Sequence, residues 1–137
     1  IFAYVNGLAY GKEDFCKWTL ATIRDIVDKF IEKFNKKYDE AVAEPMAKVK
    51  GFKEYYLDSI LSDTAGYAGT ELHRRTVGMA NVVDVTTIED SEKRMLAERI
   101  NILAGKDYII NHKKFRTGEY FMEAVLKAVK AAENWRV

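Results

Sequence analysis

The chain has 137 residues, enough for one domain with a real core, and 48% of them are hydrophobic, which excludes disorder caused by low hydrophobicity. Its 22 basic and 21 acidic side chains leave a formal net charge of +1, so the basic excess typical of nucleic-acid-binding proteins is absent. The single cysteine, Cys16, has no partner for an internal disulfide and lies in no zinc-binding pattern, so we expect a reduced, cytoplasmic protein.

The first residues, IFAYV, predict the end of a helix rather than a leader. They carry no basic region, and they are far shorter than the about 20 apolar residues that cross a membrane. Asn6 and Gly7 follow, and this pair is typical of a helix C-terminal cap. We therefore expect a helix that began before Ile1, in a chain that is a fragment of a longer protein with no membrane partner.

A long helix is predicted from Glu13 or Asp14, whose charges suit a helix N-terminus, to about Val42. Apolar residues recur within it at steps of three and four, which predicts one buried stripe: Ile23, Ile26, Val27, Phe30, Ile31, Phe34 and Tyr38. The only proline, Pro45, interrupts the helical pattern, so residues 43–50 are predicted to be a connection or a broken helix.

Two further helices are predicted at residues 52–61 and 63–79. The second begins with TAGYAG, whose small residues let two backbones approach closely, so we expect a tight helix–helix contact there. The spacing from Gly66 to Gly69 also occurs in one class of RNA-binding domain. The mixed strand–helix surroundings of that domain are absent, which favours the helix contact.

The last third of the chain predicts a loop and two helices. Residues 81–90 read as extended or looped, and Ser91 is predicted to cap a helix that ends at Asn111 or Lys113 and is weakened locally at Gly105. Its expected buried residues are Met95, Leu96, Ile100, Leu103, Ile109 and Ile110. Thr117 is predicted to cap a last helix with helically spaced Tyr120, Phe121, Ala124, Val125, Ala128 and Val129. The prediction is one all-α domain over residues 1–137.

Most motifs that suggest chemistry fail on spacing or context. The segment GLAYGK has three residues between its glycines and no Ser or Thr after the lysine, so it is not a phosphate-binding loop. His73 and His112 are predicted at the surface or its boundary, and the acidic pairs 25/28 and 89/90 as solvated or capping groups. No Ser-His-Asp or Cys-His arrangement is visible, so the sequence predicts no catalytic residue and no metal site.

Adjacent arginines, Arg74 and Arg75, are the candidate binding residues. Successive helical side chains point about 100° apart, so one guanidinium could face a cleft while the other braces it. The planar donor fork of arginine binds phosphate and sugar oxygens with two bonds at once. Paired arginines on a helix are, however, more often surface charges or ion-pair partners, and the residues alone leave that alternative open.

The segment DTAGYAGTELHRRTVGMANVVD, residues 63–84, resembles the S-methyl-5-thioribose kinase family. That family has Asp-x-x-Gly-Phe-Ala-Gly, then Glu-Met-x-Arg-Arg, then Gly-x-Ala-x-Val-x-Asp. Residues 88–94 (IEDSEKR), 97–99 (AER), Gly105-Lys106, 18–23 (WTLATI) and the opening IFAY are also similar to it. The departures are Tyr67 where Phe is common, and His73 before the arginines.

The resemblance implies the helical C-terminal portion of a protein-kinase-like, aminoglycoside phosphotransferase-like fold. The family transfers the γ-phosphate of ATP, with magnesium, to the 1-hydroxyl of methylthioribose in methionine salvage. Its paired arginines contact the substrate sugar, which implies that Arg74 and Arg75 are substrate-binding residues. Its catalytic-loop Asp and its metal-binding Asp-x-Glu would precede Ile1.

We therefore expect a sugar substrate for the longer protein, but neither ATP nor magnesium bound by this fragment, and no activity from the fragment alone. Family members are often dimeric, and removal of the upstream lobe would bare apolar surface, so a homodimer is a further expectation. Two other functions remain open: another small-molecule phosphotransferase of the same fold, and a free-standing helical interaction domain.

Overall fold

The computed structural model describes residues 1–135, and within them it contains six α-helices and no β-strand. The helices are α1 (Phe2–Ala9), α2 (Glu13–Ala41), α3 (Phe52–Thr76), α4 (Val83–Thr86), α5 (Ser91–Ile110) and α6 (Gly118–Glu133), with 3-10 turns at Pro45–Lys48 and His112–Lys114. The all-α prediction is confirmed. The last two residues of the predicted domain, 136 and 137, lie outside the described residues.

Helix α5 forms the centre of the fold, because α1, α3 and α6 all pack against it. One part of the core surrounds Val5, Ile100 and Val125. The other surrounds Tyr108 and Phe115, whose rings meet edge to face at a centroid distance of 4.6 Å. No helix among residues 1–135 is both long and apolar enough to cross a membrane.

The predicted cap at Asn6 and Gly7 is wrong. Helix α1 continues to Ala9, and the chain reverses at Gly11, whose φ of +66° favours glycine. Gly7 is a packing residue instead, because a Cβ there would lie 2.8 Å from the Cys16 sulfur of α2. The glycine therefore allows α1 to lie closely against α2.

The predicted bounds of α2 are confirmed, but its apolar stripe is buried only in part. Val27 is buried, whereas Ile26 and Phe30 remain exposed. The buried residues of α2, Cys16, Thr19 and Val27, all lie in its first half, and the helix packs against α1 and α6. Periodicity identified the helix but could not indicate where the core ends.

The predicted break between helices at residue 62 is wrong, because α3 is one continuous helix of 25 residues. The expected close helix contact is confirmed at Gly69, where a Cβ would lie 2.7 Å from the Gly105 carbonyl oxygen of α5. Gly105 packs against the His73 ring of α3, and α5 continues through it without a break. Packing of α3 on α5 compensates for the low helix propensity of these glycines.

The segment at residues 81–90, predicted to be a loop, contains the short helix α4, and the last residue of the segment caps α5. The cap is Asp90 rather than Ser91: the Asp90 carboxylate accepts from the backbone N–H groups of Glu92 and Lys93, at 3.0 and 3.1 Å. On α5, Ile100 is buried as predicted, whereas Met95 and Ile110 are exposed.

The predicted cap of the last helix is confirmed, because Thr117 Oγ1 accepts from the Tyr120 N–H. Four predicted residues of α6 are buried: Phe121, Ala124, Val125 and Ala128.

Candidate functional site

Arg74 and Arg75 lie in the last turn of α3, which ends at Thr76. The backbone carbonyls at a helix C-terminus carry partial negative charge, so basic side chains are favourable there. About half of the Arg74 side chain (51%) and 40% of the Arg75 side chain remain exposed. Both guanidinium groups are therefore accessible to a ligand.

A single carboxylate, that of Glu71, holds both arginines. Arg74 donates to it through Nε and Nη2, with 2.7 Å between Nη2 and Oε2, and Arg75 donates through Nε at 3.2 Å. Glu71 lies three and four residues before the arginines, so it is on their side of the helix. The two guanidinium groups thus converge on one carboxylate.

The pairing leaves a local excess of one positive charge. The hydrogen bond from Arg74 lowers the pKa of Glu71 and raises that of Arg74, so both of these groups stay ionised at neutral pH. Among residues 1–135, the only hydrogen bond that the Arg75 side chain donates is the one from Nε, so its two Nη groups remain available. Such a cluster can bind an anion such as a phosphate.

The backbone after the arginines is fixed by a glycine that the sequence reasoning did not single out. A Cβ on Gly78 would collide with the Arg74 carbonyl, so the chain folds back over the end of α3 only because this residue is glycine. Two hydrogen bonds tie the following segment to α1 and to the residue after it: Asn6 Nδ2 donates to the Asp84 carbonyl (2.7 Å), and Tyr10 Oη donates to the Thr87 carbonyl (2.8 Å).

The remaining candidates have structural roles. His73 and His112 are half-buried, as predicted, with Nδ1 atoms 2.9 Å from the Gly69 carbonyl oxygen and 2.6 Å from Ser62 Oγ. Sequence reasoning missed the Ser62–His112 pair, because 50 residues separate its members. No carboxylate within residues 1–135 is hydrogen-bonded to His112, so the pair lacks the third member of a catalytic triad.

The acidic pairs behave as predicted. Asp28 accepts from the Gly118 N–H at the start of α6, at 2.8 Å, and Asp90 caps α5. Across the described part of the chain, no three His, Cys, Asp or Glu residues are grouped so that they could hold a metal ion.

Comparison with known proteins finds similarity to methylthioribose kinases. The chain is 36% identical over 108 residues to the "Methylthioribose kinase" of Bacillus cereus (strain B4264), covering 74% of this chain and 27% of that protein. The chain is 35% identical to the "Methylthioribose kinase" of Geobacillus sp. (strain WCH70) and 33% identical to that of Citrobacter koseri. Each of these alignments spans 91 residues and covers 66% of this chain and 23% of the relative. No family model matches the chain. The predicted resemblance is confirmed, and the chain spans about a quarter of the length of these curated relatives.

Proposed function

We propose that this chain is the C-terminal helical part of a methylthioribose kinase and that it contributes substrate-binding residues to that enzyme. The reaction of the longer protein would transfer the γ-phosphate of ATP to the 1-hydroxyl of methylthioribose, a step in methionine salvage. ADP and a sugar 1-phosphate would be the products, and the hydroxyl proton would pass to a base outside this chain.

The observation that carries the proposal is the similarity to methylthioribose kinases over two thirds to three quarters of the chain. The all-α fold of the described residues is consistent with the helical portion of a kinase lobe. The paired arginines of the motif lie at an accessible helix end, where no burial would prevent contact with a sugar.

In this proposal Arg74 and Arg75 bind the substrate sugar and the phosphoryl group as it is transferred. Phosphoryl transfer depends mainly on positioning and on stabilising charge as it shifts among the transferring oxygens. The Nη groups of Arg75 can donate to these oxygens, while Glu71 holds both guanidinium planes in place. The charge left after pairing with Glu71 remains positive, as binding of a phosphate requires.

The described residues do not fit the ATP and magnesium that the reaction needs. They contain no cluster of metal-ligating side chains, and the glycines at positions 7 and 11 lack the spacing of a phosphate-binding loop. No step through the metal is therefore assigned to this chain. The nucleotide site, the metal ligands and the catalytic base would come from the preceding part of the longer protein.

The test is a comparison of ADP formation by the longer protein and by this chain alone, with ATP and magnesium. We expect the longer protein to form ADP with methylthioribose in preference to ribose or an aminoglycoside, and this chain to form none above background. ADP formation mainly with another acceptor would replace the proposal with a different phosphotransferase. The coding region upstream of Ile1 should encode a His-Gly-Asp catalytic loop followed by Asp-x-Glu. If these motifs are missing, a free-standing helical interaction domain would be favoured over a kinase.

A further inference from the structure

A cavity of about 340 Å³ lies where the end of α1, the first turns of α5 and the last turns of α6 meet. It is lined in part by core side chains, among them Val5 and Ile100, which are each 1% exposed. Leu8, Leu96 and Val129 add further apolar surface. The volume is at the lower end of the range for small-molecule sites, so the cavity suits a small ligand with an apolar body.

Two side chains of opposite charge, Lys93 and Glu133, also line this cavity. Lys93 lies in the first turn of α5, and Glu133 is the last residue of α6. Each charge is at the helix end that disfavours it, because acidic groups suit a helix N-terminus and basic groups a C-terminus. A ligand that brings a carboxylate to Lys93 and an ammonium to Glu133 would offset both of these unfavourable placements.

The ammonium of Lys93, rather than the backbone, is the donor that α5 offers to a ligand. The Asp90 carboxylate accepts from two N–H groups in the first turn of α5, at 3.0 and 3.1 Å, so these donors are already engaged. At the other helix, burial raises the pKa of Tyr4 most, and Cys16 and the Glu133 carboxylate raise it further. The Glu133 charge therefore acts on the side of α6 that faces α1, where the cavity lies.

A second cavity, of about 310 Å³, lies further along α5 and α6 and lacks this combination of charges. Its one carboxylate, that of Asp107, lies 3.7 Å from Lys127 Nζ and also accepts from the Asn111 amide. No acidic group is left there for a ligand ammonium. In the first cavity, by contrast, neither Lys93 nor Glu133 makes an ion pair within residues 1–135.

The position of the two charges relative to the apolar lining selects the kind of ligand. Lys93 and Glu133 are exposed, whereas Val5, Ala97 and Ile100 are buried, so the charges lie at the mouth and the apolar surface lies inside. A matching ligand carries its carboxylate and its ammonium close together at one end and an apolar group at the other. An α-amino acid with an aliphatic side chain has this arrangement.

We propose that the cavity between α1, α5 and α6 binds a zwitterionic α-amino acid with an aliphatic side chain. The ligand carboxylate accepts from Lys93 Nζ, and the ligand ammonium donates to the Glu133 carboxylate. The aliphatic side chain contacts Val5, Leu96 and Ile100. Hydrogen bonds between charged groups are stronger than those between neutral ones. Because the ligand is small and both charges are exposed, the binding is weak, with a Kd on the order of 1 mM.

The proposal does not involve Arg74 or Arg75, which lie on α3 and outside this cavity, so its test is independent of kinase activity. L-leucine is the probe, added up to about 20 mM to the isotope-labelled chain and followed by NMR. We expect saturable chemical-shift changes that are confined to residues 5–11, 93–100 and 129–133. Glycine, which lacks the apolar group, should cause none.

Three relatives of leucine test the charges and their arrangement. Isocaproate lacks the ammonium, and isopentylamine lacks the carboxylate. The isomer ε-aminocaproate carries both charges, but at opposite ends of the molecule. Each should bind at least about fivefold more weakly than L-leucine, because each loses one of the two charge-assisted contacts or the apolar end. Equal binding of any of the three would overturn the proposal.

Variants of the two charged residues complete the test. Lys93→Met and Glu133→Gln should each raise the Kd for L-leucine about fivefold, with unchanged circular dichroism. Lys106→Met and Glu123→Gln are matched controls, since they lie on the same two helices but outside this cavity, and they should stay within about twofold of the wild type. The absence of any saturable shift, or an equal effect of test and control variants, would overturn the proposal.

Discussion

Replacing Gly69 with alanine should separate α3 from α5, whereas the same change at Gly66, one turn earlier, should stabilise the protein. The Cβ of an alanine at position 69 would lie 2.7 Å from both the Gly105 carbonyl oxygen and the Ile109 Cγ1. At Gly66, apart from the chain neighbours and the adjacent backbone of the helix itself, no atom lies within 4 Å of the corresponding position. The two glycines share a helix and a sequence motif, so they differ mainly in what they touch.

The magnitudes follow from this difference in packing. At Gly66, alanine gains helix propensity and should stabilise the protein by about 0.5–1 kcal/mol. At Gly69 the same gain is outweighed, because a backbone oxygen cannot rotate away and an ordinary carbon contact needs about 3.5 Å. The helices must therefore move apart by nearly 1 Å, and overpacking of this kind costs about 1–3 kcal/mol. We expect a net loss of about 2 kcal/mol for Gly69→Ala.

Thermal unfolding followed by circular dichroism measures both variants against the wild type. At about 4 °C per kcal/mol for a domain of this size, Gly69→Ala should lower the Tm by about 8 °C and Gly66→Ala should raise it by about 3 °C. Because association also raises Tm, all three proteins should be compared at one low concentration. A Gly69→Ala variant as stable as the wild type would refute the close contact between α3 and α5.

Two further predictions concern a cap and a buried phenol. Asp90→Ala should lower the free energy of unfolding by about 1 kcal/mol, because two N–H groups of α5 lose their acceptor. Ser91→Ala should change it by less than about 0.5 kcal/mol. The reverse order in urea titrations would mean that Ser91, and not Asp90, caps the helix. Tyr108 donates to the Phe121 carbonyl at 2.8 Å, so Tyr108→Phe should cost about 1–2 kcal/mol at neutral pH. Burial raises the pKa of Tyr108 above its usual value, so the folded state holds this proton more tightly than the unfolded state. The free energy of unfolding should therefore fall as pH rises above about 10, and it should fall less steeply in Tyr108→Phe than in the wild type. Urea titrations at several alkaline pH values would contradict this if both proteins lost stability at the same rate.

The sequence was sufficient where a local signal decides the structure. The start of α2 at Glu13 and the cap at Thr117 were predictable because charge and side-chain hydrogen bonds act within one turn. It was misleading where packing decides. Gly7 resembles part of a helix cap, but it lies inside α1 because α2 comes too close there for a side chain.

The candidate site was only partly predictable for the same reason. The resemblance identified Arg74 and Arg75, and the position of Glu71 three and four residues earlier could have indicated their common partner. The contact of Gly78 with the Arg74 carbonyl could not be predicted, because it depends on how the chain folds back after α3. The exposure of Ile26 and Phe30 on α2 was hidden too, since periodicity shows that a helix has an apolar face and not whether that face is covered.

The central proposal, that Arg74 and Arg75 bind the sugar being phosphorylated, is tested most directly by kcat/KM for methylthioribose in the longer protein. Lysine keeps the charge but loses the two-pronged donor, so Arg74→Lys and Arg75→Lys should each lower kcat/KM by about 100-fold or more. Arg24→Lys, at an arginine of similar exposure paired with Asp25, should stay within about twofold of the wild type. Unchanged kcat/KM in both test variants would contradict the proposed role of the pair.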